Sequence, residues 1–309
     1  MHVAMIIANP AAGGGRVWQW IGPIRAWAEN KFGLCTLKMT QSRGHGRLLA
    51  QKAIEDGYRW IIALGGDGTL SEVAWGFFND EGRPITTQAY FVPLPMGTGN
   101  DFAKSVGLQG WTPAKGSPWS DARVKSIDIG RVILGDGSVR TFINMASLGL
   151  STVVNSAVEK KLLRTGLAGT WMYLLATLRA WRHFDSPRIR FTIDDKSHEQ
   201  SVTLMVLANG RVFGGGMRIA PHATIDDGWI DVLFVDPLTR VVELLRDLPA
   251  LYRGTHLKSP LVHTVRARVV RIEAVEPAQI AIELDGEVCG MLPIQVDLLP
   301  QALRVFAPF

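Results

Sequence analysis

The sequence predicts two domains: an α/β domain with a parallel sheet, then an antiparallel, β-rich, sandwich-like domain. Three observations carry this. In the first third, short apolar runs end in glycine-rich turns and pass into helical patterns, three times over. Further on, the apolar period changes from helical to two. Between these regions, Trp111 to Ser120 is rich in Pro, Gly, Ser and Trp and reads as a connection. The boundaries expected are 1–127 and 128–309.

Val3 to Ala8 is the first apolar run. It ends at Asn9-Pro10 and the turn Gly13 to Gly15, and Val17 to Phe32 then carries Trp and Ile at helical spacing. Arg59 to Leu64 is the second run, followed by Gly65-Gly66-Asp67-Gly68-Thr69 and a helical pattern. Tyr90 to Pro95 is the third, followed by a second polar glycine turn and a short helix stopped near Gly107. In the second domain, Arg188 to Asp194 and Gln279 to Asp285 alternate polar and apolar residues, the mark of an antiparallel sheet with one buried face. Val202 to Ala208, Trp229 to Val235 and Val265 to Ile272 also read as strands. One helix, from about Val158 to Phe184, interrupts them. A final strand near Ala302 to Ala307 is expected to return to the first domain.

Of the 309 residues, 47% are hydrophobic and 20% charged, the balance of a folded chain long enough to bury a core. The two cysteines, Cys35 and Cys289, stand far apart. That spacing speaks against a disulfide framework or a thiolate metal site, and fits a reducing, cytoplasmic setting. No signal peptide is read at the start. The charge-free stretch from Thr165 to Leu178 is too short to span a bilayer. A net charge of +5 draws anionic partners, but no nucleic-acid-binding signature accompanies it, so nucleic acid is not an expected partner.

The glycine turns carry the chemistry. Gly65, Gly66 and Gly68 permit close backbone approach. Thr69 and Glu72 have capping-box spacing, and Leu70, Val73, Ala74 and Phe77 form one apolar helical face. A helix starting there turns its positive end toward the loop, which suits phosphate. Asp67 inside an anion site makes sense when Mg²⁺ is shared with a nucleotide. Gly97, Thr98, Gly99 and Asn100-Asp101 repeat the device, and Asn9 with Gly13 to Gly15 forms a third turn. Such turns gather at the carboxyl ends of parallel strands, where ligands bind. Neither GxxxxGK[ST] nor GxGxxG is present, which excludes a P-loop and counts against a Rossmann dehydrogenase. Asp285-Gly286 and Asp227-Gly228 are strong hairpin signals on their own.

Together, Asn9-Pro10, Gly65 to Thr69, Pro95-x-Gly97-Thr98-Gly99-Asn100-Asp101-Phe102-Ala103, Asn209-Gly210 with Gly214 to Gly216, Asp227-Gly228 and Leu284-Asp285-Gly286-Glu287 resemble the diacylglycerol kinase catalytic-domain family across nearly the whole chain. That family includes bacterial lipid kinases, ceramide kinases and sphingosine kinases. The GGDGT loop alone is shared with phosphofructokinases and NAD kinases. The resemblance implies an NAD kinase/phosphofructokinase-like first domain binding ATP through Asn9, Thr40, the segment Gly65, Gly66, Asp67, Gly68, Thr69, Leu70 and Ser71, and Thr98. Ser71 stands where the family commonly has Asn. The resemblance further implies Asp285 as general base assisted by Glu287, and a cation site from the Thr224 and Trp229 carbonyls and the Asp227 carboxylate. ATP and Mg²⁺ are therefore the expected cofactors and a lipid hydroxyl the acceptor, met at a membrane surface by a peripherally associated protein.

Two features stay open. Leu167, Trp171, Leu174, Leu178 and Trp181 share one face of a basic-ended helix, which fits either a membrane interface or packing on the sheet. The rival activities are an NAD kinase, in which Asp67 would be the base, and a non-catalytic nucleotide or lipid sensor. His45 is not read as catalytic.

Overall fold

The computed structural model describes residues 3–111, 121–155, 177–238, 243 and 249–309. Residues 112–120 of the expected connection and 158–176 of the expected helix lie outside these. The chain divides into two units, Met1–Ile129 with Leu299–Phe309, and Gly130–Leu298.

Unit 1 contains β1 (Ala4–Ala8), α1 (Val17–Phe32), β2 (Cys35–Met39), α2 (His45–Glu55), β3 (Trp60–Gly65), α3 (Asp67–Trp75), β4 (Tyr90–Pro95) and α4 (Asp101–Ser105). Its strands lie in the order β2-β1-β3-β4, followed by the last strand of the chain, where Val305 pairs with Phe91. All these pairings are parallel. β1 is buried throughout, and β3 and β4 are buried at every residue but the first. Continuous apolar runs of this kind suit strands covered on both faces, which parallel sheets require. α1 turns Val17, Ile24, Ala28 and Phe32 inward.

Unit 2 is built from β5 (Arg123–Leu134), β6 (Val139–Phe142), β7 (Met145–Gly149), β8 (Arg188–Ile193), β9 (Lys196–Ser201), β10 (Leu204–Ala208), β11 (Ile230–Val235), β12 (Val262–Ala267), β13 (Val269–Ala274), β14 (Ala281–Leu284), β15 (Glu287–Met291) and β16 (Ile294–Ala307). Parts of β5 and β16 belong to unit 1. One sheet runs β12-β11-β10-β7-β14-β15, with antiparallel neighbours throughout. The other places the start of β16 beside β13, β8 and β9, again antiparallel, with the β5–β6 hairpin joining through β16. Phe142, Phe191, Val270 and Val296 of the second sheet share one core with Leu148, Met205, Val232 and Ile282 of the first. The Phe191 and Phe234 rings lie 5.2 Å apart within it. This is a sandwich, as the two-residue period implies.

The strand expected from Val265 to Ile272 is two strands. β12 pairs with β11 in one sheet, and β13 pairs with β8 in the other. At the break, the N–H groups of Arg268 and Val269 both donate to Asp194 Oδ1, at 2.9 and 3.0 Å. A side chain takes the donors that would have continued the ladder. Of the expected long helix, residues 177–181 are described and helical. Ala180, Trp181 and Phe184 pack against Leu150 and Val154, and Trp181 Nε1 donates to Leu238 O at 3.0 Å. This end is packed on protein.

Candidate active site

Unit 1 brings its three glycine turns together. Asn9 follows β1, and its N–H donates to Leu64 O at 3.0 Å, aligning it with the end of β3. Its Nδ2 donates to Thr69 Oγ1 at 3.0 Å, and its Oδ1 accepts the Ala11 N–H at 2.9 Å. Thr40 closes β2, with its N–H on Ala8 O at 2.9 Å. The turns after β3 and β4 touch backbone to backbone. Met96 N–H donates to Gly65 O at 2.7 Å, and a methyl group on Gly97 would lie 2.7 Å from Gly66 Cα. A methyl group on Gly65 would lie 2.5 Å from Thr69 Cβ. Glycine is the residue that allows both approaches.

The capping box expected at Thr69 and Glu72 is not formed. α3 starts three residues earlier than that cap implies, at Asp67, with Gly66 as its N-cap and no side-chain cap. Thr69 therefore lies in the first turn, where its hydroxyl meets Asn9. Glu72 reaches another helix instead. Its two oxygens accept the N–H groups of Gly44 and Gly46 at 2.7 and 2.9 Å, at the start of α2. A carboxylate at that helix end is favoured by the dipole. Asp67 Oδ1 accepts the Phe102 N–H at 3.2 Å, and Asn100 Oδ1 accepts the Gly97 N–H at 2.9 Å. Leu70 is fully buried, with its N–H on Gly66 O at 3.0 Å. Ser71 is half-buried on α3, and Thr98 is exposed in the turn after β4. His45 Nδ1 accepts the Gln41 N–H at 3.0 Å, a local structural bond.

In unit 2, Asp285-Gly286 is a hairpin turn between β14 and β15 and also a built carboxylate site. Both residues have positive φ, 49° and 90°, as a type I′ turn requires. The Asp285 N–H donates to Met145 O at 2.9 Å. Its carboxylate accepts three consecutive backbone N–H groups: Ile143 on Oδ2 at 3.0 Å, and Asn144 and Met145 on Oδ1 at 2.9 and 3.0 Å. Hydrogen bonds to a charged acceptor are strong and fix its orientation. Glu287, half-buried, opens β15 directly after the turn.

Sequence reasoning missed Glu283, two residues before Asp285. It is 1% exposed, and its oxygens accept Ser147 Oγ at 2.6 Å and Asn155 Nδ2 at 2.8 Å. Burial pushes its pKa up, against the opposing effect of these bonds. Strand alternation places Glu283 on the polar face with Asp285, so nothing in β14 itself announced a buried acid. The partner signal is the spacing of Ser147, Ser151 and Asn155, which converge because Ser147 pairs with Glu283 across β7 and β14.

The expected cation residues lie in the loop before β11. Asp227 Oδ1 accepts the Trp229 N–H at 3.1 Å, and Arg266 donates to Asp227 Oδ2. Thr224 is half-buried three residues before Asp227. The guanidinium groups of Arg266 and Arg268 lie 5.5 and 4.6 Å from the centre of the Trp229 ring. Nearby Asp231 has a buried Oδ2 with no hydrogen-bond partner. Burial raises its pKa, Arg266 opposes, and Asp227 adds to the rise. Among the described residues, no three His, Cys, Asp or Glu side chains cluster as a metal site. A cation here would therefore rest on carbonyl oxygens plus Asp227. The Asp227 carboxylate is already paired with Arg266, so a hard cation here, which takes oxygen donors, would have to displace that guanidinium. Burial pushes the Cys35 thiol up to about 11 and the Cys289 thiol up to about 12.

Comparison with known proteins matches both units. Residues 3–132 match the Diacylglycerol kinase catalytic domain, and residues 144–307 match the YegS C-terminal NAD kinase beta sandwich-like domain. A Pseudomonas aeruginosa protein named "Probable lipid kinase YegS-like" is 31% identical over 88% of this chain and 84% of its own length. A Staphylococcus epidermidis diacylglycerol kinase is 28% identical over 99% of this chain and 92% of its own. A crystal structure of a diacylglycerol kinase from Bacillus anthracis has the same fold, with a TM-score of 0.68 at 19% identity, covering 98% of this chain and 96% of that one.

Proposed function

From the premise that the chain belongs to the diacylglycerol kinase family, we propose that it transfers the γ-phosphate of ATP to the hydroxyl of a lipid, with Asp285 as general base. The observation that carries the proposal is the Asp285 carboxylate itself, oriented by three backbone N–H groups at the tip of a hairpin. A proton acceptor needs to be fixed in place, and this one is.

In the reaction, the Asp285 carboxylate takes the proton of the lipid hydroxyl. The hydroxyl oxygen forms a bond to the γ-phosphorus, and the bond from that phosphorus to the bridging oxygen breaks. A lipid phosphate and ADP result. General-base assistance of this kind contributes roughly 10²- to 10⁴-fold in rate. Glu287, two residues along, assists Asp285. Asn9, Thr40, Gly65 to Ser71 and Thr98 bind the nucleotide, with the start of α3 favouring the phosphates. Mg²⁺, when bound, supplies charge neutralisation to the transferring phosphoryl group. Asp227 with the Thr224 and Trp229 carbonyls would hold a further cation. The acceptor reaches the protein from a membrane surface. Among the described residues, no helix is long and apolar enough to cross a membrane.

The test is transfer of labelled γ-phosphate from ATP with Mg²⁺ to dioleoylglycerol, monooleoylglycerol, phosphatidylglycerol and ceramide in mixed micelles, beside NAD. Labelled lipid that is absent with Asp285→Asn is the expected result. Labelled NAD, or labelled lipid in undiminished amount from the variant, would overturn the reading.

A further inference from the structure

We infer that Asn144 and Asn209 are positioning residues for Asp285: they hold the backbone segment whose N–H groups grip the carboxylate. The inference rests on the reading of Asp285 as the base. It gives a task to the Asn209-Gly210 motif, which the nucleotide and cation sites do not use.

Between the end of β6 at Phe142 and the start of β7 at Met145, the chain leaves the strand ladder. The N–H groups of Ile143, Asn144 and Met145 all turn to Asp285. A backbone segment outside a ladder needs its carbonyls satisfied elsewhere, or it does not stay in one place. Asn209 supplies the partners. β10 runs antiparallel to β7 with Ala208 opposite Met145, so the residue that follows β10, Asn209, meets Asn144. Asn209 Nδ2 donates to Ile143 O at 2.9 Å. The Asn209 and Gly210 N–H groups both donate to Asn144 O, at 2.9 and 2.8 Å. Asn144 closes the link from its own side, with Nδ2 on Val212 O at 2.7 Å.

The backbone of residues 143 and 144 is thus bonded on both sides. N–H groups face the carboxylate, and carbonyls face residues 209 and 210. Asn209 is 1% exposed and Asn144 5%, so the side-chain bonds are made away from solvent. Both carry a donor that Asp lacks and that Ala and Ser cannot extend as far. A shift of the segment by even part of an ångström changes the direction in which the carboxylate points. A misplacement of about 1 Å can cost on the order of a hundredfold in rate.

The experiment compares Asn209→Ala, the isosteric Asn209→Asp and Asn144→Ala with wild type and Asp285→Asn. It uses the full chain, labelled ATP and the four-lipid panel, with kcat measured against pH and thermal melting alongside. Expected is a fall in kcat on the order of tenfold to a hundredfold, with KM for ATP unchanged. The acid limb of kcat moves to higher pH, because a loosened cradle favours the ionised carboxylate less. Should Asn209→Ala not fold, Asn144→Ala removes only the bond to Val212 and carries the same expectation. An inactive Asp285→Asn, with kcat per folded molecule and the acid limb unchanged in the Asn variants, overturns the positioning role alone. A fully active Asp285→Asn, or a panel in which no lipid is labelled, overturns the base reading and this inference with it.

Discussion

In unit 1, Gly65, Gly66 and Gly97 bring two strand-to-helix turns into backbone contact, and two carboxylates tie the loops by reaching across them. Asp67 binds an N–H of α4, and Glu72 binds two at the start of α2. In unit 2 one carboxylate, Asp285, collects three consecutive N–H groups of a single segment. The first arrangement depends on the absence of side-chain volume. The second depends on a charge of the right sign meeting donors in the right order. Substitutions that change volume and substitutions that change charge therefore separate the two regions.

The largest expected effect is in unit 2. Asp285→Asn keeps the shape, loses the proton acceptor and lowers phosphate transfer by roughly 10²- to 10⁴-fold. Its KM for ATP stays near wild type. A matching rise in KM for ATP would break the comparison by tying the cradle to nucleotide binding. Next is Gly65→Ala in unit 1. Its new methyl meets the β-branched Thr69 in the first turn of α3, and overpacking of this kind costs about 1–3 kcal/mol. Urea denaturation should show that loss together with weaker binding of ATP; wild-type stability would mean that the turn is not limited by volume. Glu72→Gln is smaller, about 1 kcal/mol from the weakened interaction with the start of α2. Thermal melting should show the difference from wild type shrinking as salt is raised.

The smallest effect sharpens the contrast within unit 2, between a carboxylate on backbone donors and one buried among side chains. The Glu283 pKa is raised in the fold, with burial as the main cause. The folded state therefore holds the proton more tightly than the unfolded chain. Its contribution to stability is fully present below the ordinary Glu range and is lost as pH rises through the folded value. Glu283→Gln should flatten the fall in stability above the ordinary Glu range, seen in urea midpoints taken across pH. An unchanged slope would show that Glu283 is charged at no cost.

How far the sequence reveals this depends on the range of the forces. β1, β3 and β4 were legible because burial on both faces writes itself as an apolar run. The glycine turns were legible for the same local reason. The start of α3 was misread because Thr69 finds its partner in Asn9, sixty positions away, rather than in its own helix. The division of β12 from β13 was hidden because Asp194, 74 positions from Arg268, decides it. The cradle of Asp285 was hidden more deeply. Its donors are backbone N–H groups, which every residue but proline carries, so residues 143–145 have no compositional mark. Glu283 followed the alternation of an exposed residue and is buried by Ser147 and Asn155, both distant in the chain.

The parallel pairing of Val305 with Phe91 sets an order of events during synthesis. The strands β1 to β4 leave the ribosome early, within the first third of the chain. The strand segment that pairs with β4 leaves only after all of unit 2. Until then β4 presents an unpaired, apolar edge, the kind of surface that recruits other chains. That edge stays open for the time taken to translate some two hundred residues. Placing that strand ahead of β4 in the chain by circular permutation would remove that interval.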